Sequence, residues 1–324
     1  MKAIRYHEHG DADVLTVDDV PTPDPGSGEV LVRVHAASVN PIDTYVREGG
    51  VEPADGLPHI GGADAAGVVE AVGDGVDGFA VGDRVFATGL GLFESGTYAE
   101  YVAAPAESLA RLPAGVSFVD GAAAAMAFAT AWRGLVGRGD LEIGDACLVQ
   151  GGSGGVGHAA VQIAAHAGAT VVATASDDEA FVRGLGADAV VDYGGDDVAD
   201  RLRDAAGGDI DVVLETHAAA NVATDLDVLT RGGRIVVLGE EAPIRIDPGA
   251  SMTGKIADAD VRFMSIMASR DDQVPILERV GPRLADGTFE VEVEATYPLE
   301  DAAEAQRHVL SSGSRGKVVL EVRG

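Results

Sequence analysis

The sequence contains very little cysteine and lysine. Its 324 residues include one cysteine, Cys147, and three lysines, Lys2, Lys255 and Lys317. A single thiol excludes an intramolecular disulfide and any zinc site that needs two or more thiolates. This use of cysteine fits a reducing compartment, so we expect a cytoplasmic protein.

Long apolar runs are also absent from the sequence. The longest, at residues 122–131, is much shorter than the roughly 20 residues that cross a bilayer. Residues 1–10 are charged and lack the apolar core of a signal peptide. We therefore expect neither a membrane segment nor an export signal.

Acidic residues greatly outnumber basic ones. There are 53 Asp and Glu against 23 Lys and Arg, for a formal net charge of −30, while 46% of the residues are hydrophobic. The hydrophobic share supports buried cores, and the negative field disfavours binding to nucleic acid or to anionic lipid. Compact carboxylates in place of lysines predict adaptation to high salt, where ions screen self-repulsion. An ordinary acidic cytosolic protein is the alternative.

The pattern of the chain changes near residue 120, which predicts two domains. Residues 1–120 consist of short β-like runs separated by glycine and proline, typical of a largely antiparallel barrel or sandwich. From residue 121 to 268, helical stretches alternate with strand-like runs, which predicts a doubly wound parallel sheet of α/β class. Residues 269–324 begin with one more helix, return to β-like runs at 289–295 and 317–322, and are expected to rejoin the first domain. The predicted strands of the second domain are 146–150, 170–175, 188–191, 210–214, 234–238 and 261–264.

A glycine-rich segment follows the first of these strands. Residues 151–157 read GGSGGVG, in which Gly152, Gly154 and Gly157 fit the GxGxxG spacing between a strand and a helix. We expect Gly152 to permit a tight turn, Gly154 to let a pyrophosphate approach the backbone, and Gly157 to allow close helix packing. The segment therefore predicts a dinucleotide held by the N–H groups of a helix start. The predicted phosphate-binding residues are Gly152, Ser153, Gly154, Gly155, Val156 and Gly157.

The end of the second strand bears on the choice of coenzyme. NAD sites usually carry an acidic residue there for the ribose 2′-hydroxyl, whereas this strand runs into Ser176. The small residue favours NADPH, with NADH as the alternative. Asp177 and Asp178 follow at once and would repel a 2′-phosphate. The alternative interpretation is that they are acidic residues in the first turn of a helix, where the helix dipole favours them. Arg183 and Arg315 are the candidate counter-charges.

Several segments resemble one family. Residues 38–49 (SVNPIDTYVREG), 82–85 (GDRV) and 315–320 (RGKVVL), with the glycine-rich segment, resemble the medium-chain dehydrogenase/reductase superfamily. The similarity is greatest to its zinc-free quinone oxidoreductase branch, which includes zeta-crystallin. It implies a GroES-like catalytic domain at 1–120, completed by 269–324, a Rossmann domain at 121–268 and a cleft between them. It also implies a homodimer formed through the strand at 261–264.

The resemblance implies that zinc ligands are missing. Zinc alcohol dehydrogenases of this superfamily have a cysteine ligand where this chain has Asn40, and Gly-His-Glu where it has Gly62-Ala63-Asp64. We therefore expect an enzyme that works without a metal. His59 lies nearby in the sequence and is interpreted as a packing residue, and Cys147 as a small residue of the core.

The same resemblance suggests roles for further residues. It implies that Asn40 and Tyr45 lie beside the nicotinamide, where both could donate hydrogen bonds to an acceptor oxygen and Tyr45 could help deliver a proton. A simple turn at Asn40 and a core aromatic at Tyr45 are the alternatives. By the same comparison, Thr130 lies near the nicotinamide, Tyr193 lines the adenosine site, and Gly239 approaches the nicotinamide ribose.

Three functions remain open on the sequence alone. The first is an NADPH-dependent quinone reductase, and the second reduces activated C=C bonds of an alkenal, enone or enoyl thioester. The third is a non-catalytic binding or structural role, which the net charge and the glycine turn disfavour. Glu215-Thr216-His217 departs from the branch, where small residues are commoner, and this leaves the substrate open. His217 could titrate near neutral pH or simply cap a strand.

We expect the melting temperature to rise as KCl increases from the millimolar to the molar range. The reason is that added ions screen the repulsion among the excess carboxylates. Scanning calorimetry on one preparation dialysed across that range measures the effect. A melting temperature that falls with KCl would contradict salt adaptation.

Overall fold

The chain forms two compact units. A computed structural model describes residues 1–92, 94–176, 178–195, 197–240, 242–311, 313 and 315–322. Unit 1 comprises residues 1–129 and 269–324, and unit 2 comprises residues 130–268. Within the described residues, no helix has both the length and the apolar character needed to cross a membrane.

Unit 1 is built around a seven-stranded sheet. Its longest strand, β3 (Glu29–Val39), pairs antiparallel with β5, β7 and β16, and β16 pairs parallel with β15, so that the sheet is largely antiparallel. A three-stranded sheet in the order β2-β1-β4 completes the unit. The remaining strands are β1 (Lys2–Tyr6), β2 (Thr16–Asp19), β4 (His59–Ile60), β5 (Ala65–Val72), β6 (Arg84–Ala87), β7 (Tyr101–Pro105), β8 (Ala110–Arg111), β15 (Val293–Pro298) and β16 (Lys317–Glu321).

Helices cover the sheet of unit 1. They are α1 (Pro41–Arg47), α2 (Phe118–Trp132), α8 (Arg270–Ala285) and α9 (Ala302–Val309). The predicted boundary at residue 120 would place the alanine-rich start of α2 in the second domain. In the structure this segment belongs to unit 1. The reason is packing, because Ala122, Ala123 and Ala125 are buried in one cluster with Phe86 of the sheet and Leu277 of α8.

One predicted strand of this unit begins later than expected. The run at 289–295 was predicted as β, but β15 starts only at Val293. Phe289 is instead buried against Phe128, with ring centroids 5.1 Å apart. The apolar character of this segment therefore reflects packing onto α2 as well as the strand.

Unit 2 contains a six-stranded parallel sheet. Its strands are β9 (Ala146–Val149), β10 (Thr170–Thr174), β11 (Ala189–Val191), β12 (Ile210–Glu215), β13 (Leu229–Val237) and β14 (Asp260–Phe263). They lie in the order β11-β10-β9-β12-β13-β14, and every pair is parallel. This is the Rossmann order, in which the direction of winding reverses between β9 and β12. The predicted doubly wound α/β sheet is confirmed.

Helices connect the strands of unit 2. They are α3 (Gly157–Ala167), α4 (Glu179–Gly184), α5 (Val198–Ala206), α6 (Ala218–Val228) and α7 (Pro248–Ala257). The sequence prediction missed α7, which contains two glycines and a proline. Asp247 caps this helix by accepting hydrogen bonds from the N–H groups of Gly249 and Ala250, and Pro248 occupies its first turn, where a missing N–H costs nothing.

Candidate functional site

The glycine-rich segment forms a tight turn between β9 and α3. Gly151 has a left-handed backbone with φ of 71°, so the tight turn predicted for Gly152 is made by its neighbour. Gly152 is restricted for another reason, since a Cβ there would lie 2.8 Å from the Cβ of Ala173. At Gly157 a Cβ would lie 1.9 Å from the carbonyl oxygen of Gly151. Backbone therefore packs directly on backbone where α3 begins.

The geometry of this turn fits a pyrophosphate. Helix α3 begins at Gly157, and its N-cap Val156 contributes no capping side chain. The first N–H groups of a helix attract anions when no carbonyl binds them. In α3 the His158 N–H already bonds the Gly154 carbonyl and the Ala160 N–H bonds the Val156 carbonyl, so an anion would meet the N–H groups that come before His158. A Cβ added at Gly154 would meet only the Gly151 carbonyl oxygen, 3.4 Å away, so the outer side of the turn is open. A phosphate could therefore approach the backbone at this position.

Three further predicted coenzyme residues lie at the same edge of the sheet. Ser176 is exposed just after β10, Tyr193 is 60% exposed after β11, and Gly239 follows β13. A Cβ at Gly239 would lie 2.8 Å from the carbonyl oxygen of Thr216. Because the carboxyl ends of parallel strands share one edge, these residues and the glycine turn face the same end of the sheet. Thr130 is separate from them in the sequence and is buried in α2.

The candidate counter-charges for a 2′-phosphate are engaged elsewhere. Arg183 donates from Nε to Glu179 Oε1 at 2.8 Å and from Nη1 to the carbonyl of Asp188 at 2.6 Å. Arg315 belongs to unit 1, where it pairs with Glu292. Asp178 is the N-cap residue of α4, and Asp177 lies outside the described residues.

Asn40 and Tyr45 belong to one local structure in unit 1. Asn40 is the N-cap of α1 and is 3% exposed, and its backbone N–H donates to Asp43 Oδ2 at 2.9 Å. Tyr45 faces outward from this helix and is 51% exposed. The two predicted donors therefore differ, because the Tyr45 hydroxyl can meet a ligand while the Asn40 amide is buried.

The Asn40 amide connects two buried charges. Lys317 Nζ donates to Asn40 Oδ1 at 2.5 Å and to the carbonyl of Val39 at 3.2 Å. On its other side, Asn40 Nδ2 donates to Asp64 Oδ2 at 2.9 Å. Both ends of the amide are thus held, which fixes its orientation. Burial lowers the pKa of Lys317, and it raises the pKa of Asp64 to about 6.

A second buried carboxyl extends this network. Asp43 Oδ2 accepts hydrogen bonds from the Asn40 N–H and from the Tyr98 hydroxyl, the latter at 2.8 Å. Burial raises the pKa of Asp43 to about 7 and raises the pKa of Tyr98 well above its usual range. The start of α1 is therefore anchored by polar groups that have no access to bulk water.

The sequence alone did not point to Lys317, Asp43 or Tyr98 as site residues. Two signals were available. Asn-Pro-Ile-Asp at 40–43 has the spacing of a capped helix start with proline in the first turn, and Lys317 is a charge next to an apolar run. Neither signal reveals that the two segments meet, because they lie far apart in the sequence.

At two of the predicted zinc-ligand positions no atom is free to bind a metal ion. The Asn40 amide is engaged at both ends, and Ala63 has no ligating atom. Across the residues that the structure describes, no three His, Cys, Asp or Glu side chains lie together in a way that could hold a metal. His59 is buried in β4, where it bonds the Gly91 carbonyl and packs edge-on against Tyr6. Cys147 is buried in β9, and burial raises its pKa to about 12.

Comparisons with known proteins match the whole chain. The family model "Alcohol dehydrogenase GroES-like domain" matches residues 26–114, and the model "Zinc-binding dehydrogenase" matches residues 185–320. The quinone oxidoreductase of Lama guanicoe is 37% identical over 99% of this chain and 97% of its own length. The chain belongs to the medium-chain dehydrogenase/reductase superfamily, in its quinone oxidoreductase branch. It is accordingly an oxidoreductase.

Solved structures of this superfamily have the same fold. A protein described as an NAD-dependent alcohol dehydrogenase superposes with a TM-score of 0.92 at 34% identity, with both chains covered fully. The Escherichia coli quinone oxidoreductase, solved in complex with NADPH, superposes with a TM-score of 0.89 at 28% identity over 99% of this chain and 100% of its own. The predicted pairing of a GroES-like unit with a Rossmann unit is confirmed.

Replacing the buried lysine should destabilise this oxidoreductase. We expect Lys317→Met to lower the free energy of unfolding by on the order of 3 kcal/mol, because Asp64 would keep a buried charge without its cation. Urea unfolding followed by circular dichroism measures the change. Lys2→Met is the matched control, since Lys2 forms an exposed ion pair with Glu300 and its loss should have little effect. Equal effects of the two substitutions would contradict the structural role of Lys317.

Proposed function

We propose that this oxidoreductase transfers a hydride from NADPH to a quinone without using a metal ion. The observation that carries the proposal is the turn at residues 151–157, which lies beside the point where the winding of the sheet reverses. It presents an uncapped helix start and an open glycine at residue 154. Quinone oxidoreductases that match nearly the full length of the chain support the choice of acceptor.

The residues of the chain have separate tasks in this proposal. When bound, NADPH supplies the hydride, and a quinone that takes up this hydride and one proton becomes a hydroquinone. The backbone N–H groups at the start of α3 hold the pyrophosphate. The half-exposed Tyr45 hydroxyl donates a hydrogen bond to the acceptor oxygen, where negative charge develops. Asn40 contributes by fixing the first turn of the helix that carries Tyr45.

The preference for NADPH is the finer part of the proposal. The exposed Ser176 leaves space for a 2′-phosphate where an acidic residue would exclude it. Arg183 is the nearest basic residue in the sequence, but Glu179 already neutralises part of its charge. We therefore expect NADPH to be preferred over NADH by a small margin that depends on Arg183.

An absorbance assay at 340 nm in high salt tests the function. NADPH and NADH are crossed with benzoquinones, naphthoquinones and 2-alkenals, with and without chelator. We expect the fastest turnover with NADPH and a quinone, unchanged by the chelator, and a smaller NADPH preference in Arg183→Ala. Faster reduction of 2-alkenals would favour the C=C reductase, and loss of activity together with bound zinc on chelation would contradict metal independence.

Two variants examine the site directly. Gly154→Val should abolish coenzyme binding without unfolding the protein, because the valine side chain would fill the space proposed for phosphate and meets little else.

Tyr45→Phe should lower kcat by about 100-fold with little change in KM for the coenzyme, since it removes a hydrogen bond to the developing charge. Fluorescence titration and steady-state kinetics measure these effects. Unchanged kinetics in both variants would contradict the assignment of the site.

We also propose that the protein forms a homodimer through β14. This strand is the edge of the six-stranded sheet, and its Phe263 is 65% exposed. Pairing two such edges about a two-fold axis would continue the sheet and cover Phe263. Light scattering should give the mass of two chains, and Phe263→Glu should give the mass of one. A monomer in the unmodified protein would contradict this.

A further inference from the structure

A buried chain of hydrogen bonds leads from α6 to the glycine turn. Gln150 follows β9, Thr174 ends β10, and Asp225 lies on α6; all three are buried. Gln150 Nε2 donates to Asp225 Oδ1 at 2.8 Å, and the Thr174 hydroxyl donates to Gln150 Oε1 at 2.8 Å. Because the Thr174 hydroxyl hydrogen is donated to Gln150, Thr174 Oγ1 acts as an acceptor for the N–H of Gly151, at 2.9 Å. Each link fixes the direction of the next one.

Asp225 lies beside a second carboxyl group, that of Glu215 at the end of β12. Both side chains have no solvent exposure, and the Asp225 carboxyl is within hydrogen-bonding reach of Glu215. Glu215 Oε1 accepts the N–H of His217 and, at 3.4 Å, a hydrogen bond from Asn221. This ties Glu215 to the loop that follows β12. The pair therefore links the segment that follows β9 to the end of β12, the two strands between which the winding of the sheet reverses.

Each carboxyl group has one oxygen left over. Glu215 Oε2 and Asp225 Oδ2 are fully buried, and no described residue donates a hydrogen bond to either. Two neighbouring ionised carboxylates in a buried site would repel each other strongly. A single proton between them satisfies both leftover oxygens, because a protonated carboxyl donates one hydrogen bond and a carboxylate accepts it.

The proton belongs on Asp225. Burial and then the neighbouring Glu215 raise the pKa of Asp225 well above its usual range. The exposed His217 ring is engaged with the Thr216 hydroxyl. Other charged groups on α6 and on the elements that contact it occupy partly or fully exposed positions and do not act on Asp225. These groups are Asp200, Arg201, Arg203, Asp204, Asp211, Asp227, Arg231, Arg234 and Lys255.

We propose that Glu215 and Asp225 share one proton, and that the protonated pair positions both the glycine turn and the 215–217 loop for coenzyme binding. The second part rests on the coenzyme role proposed above for the glycine turn. On one side the pair acts through Gln150 and Thr174 on Gly151, and on the other through Glu215 on the N–H of His217. Glu215, Asp225, Gln150 and Thr174 are positioning residues that need not touch the coenzyme.

The shared proton makes stability depend on pH with a definite sign. In the unfolded chain Asp225 loses its proton above about pH 4, whereas in the folded protein it keeps it. The folded state then holds one more proton, so stability falls as pH rises until the raised pKa is reached. In Asp225→Asn the amide donates to Glu215 Oε2 and its oxygen accepts from Gln150, so the hydrogen bonds remain and the proton is no longer needed.

The first experiment compares urea unfolding of the protein, Asp225→Asn and Asp227→Asn between pH 4 and pH 8. Relative to Asp225→Asn, the unmodified protein should lose about tenfold in its folding equilibrium constant per pH unit above about 4. The exposed Asp227 lies on the same helix, and its variant should follow the unmodified protein. Parallel pH profiles for the unmodified protein and Asp225→Asn would overturn the shared proton, whether or not any coenzyme binds.

The second experiment measures NADPH binding and steady-state kinetics. Asp225→Leu and Thr174→Val should each raise the KM for NADPH about tenfold while kcat is kept. Thr174→Val removes the acceptor of the Gly151 N–H, and Asp225→Leu removes the hydrogen bond that orients Gln150 toward Thr174. Thr174→Ser and Asp225→Asn keep the hydrogen bonds and should recover most of the affinity. Thr174→Val leaves the carboxyl pair intact, so it answers the question even if Asp225→Leu fails to fold. An unchanged KM in Thr174→Val would overturn the positioning role. If the unmodified protein binds neither coenzyme, the proposed function fails and the pH profiles alone decide the shared proton.

Discussion

The candidate coenzyme site depends on one contact of backbone with backbone, between the carbonyl of Gly151 and the Cα of Gly157. A side chain at residue 157 would place its Cβ 1.9 Å from that oxygen, so the turn could not close. This closure lets α3 start within a short turn of the end of β9, the strand beside which the winding of the sheet reverses. A binding site for an anion follows from main-chain geometry without any basic side chain, which suits a chain with 30 excess negative charges.

Both units surround their candidate functional segments with buried polar groups. In unit 1, Lys317 and Asp64 hold the two ends of the Asn40 amide, and Asp43 holds its backbone. In unit 2, a carboxyl pair acts through Gln150 and Thr174. Burying such groups is unfavourable unless every partner is in place, so each network tolerates few arrangements.

Charged groups on the surface contribute to stability in a different way from these buried networks. Arg203 pairs with Asp200, Asp209 and Asp227, and all of these carboxylates are largely exposed. Exposed pairs of this kind contribute little individually, and salt screens them further. Of the three lysines in the chain, Lys317 is buried, so its charge serves the interior network and does not offset the acidic surface. Electrostatic stabilisation that persists in high salt is therefore expected from the buried groups.

The sequence by itself determined the Rossmann sheet, because each of its strands is an apolar run bounded by helical periodicity, and the GxGxxG spacing marks the turn by local geometry. It did not reveal α1 or α7, whose short segments depend on caps at Asn40 and Asp247 more than on apolar periodicity. Only the tertiary structure decided that Lys317 meets Asn40 and that Glu215 meets Asp225. The two lysine-network segments are 277 residues apart in the chain, and no local pattern encodes a contact over such a separation. Tertiary packing also decided that the start of α2 belongs to unit 1. A run of alanines has no contrast between an apolar and a polar face, so the sequence does not indicate which elements it packs against.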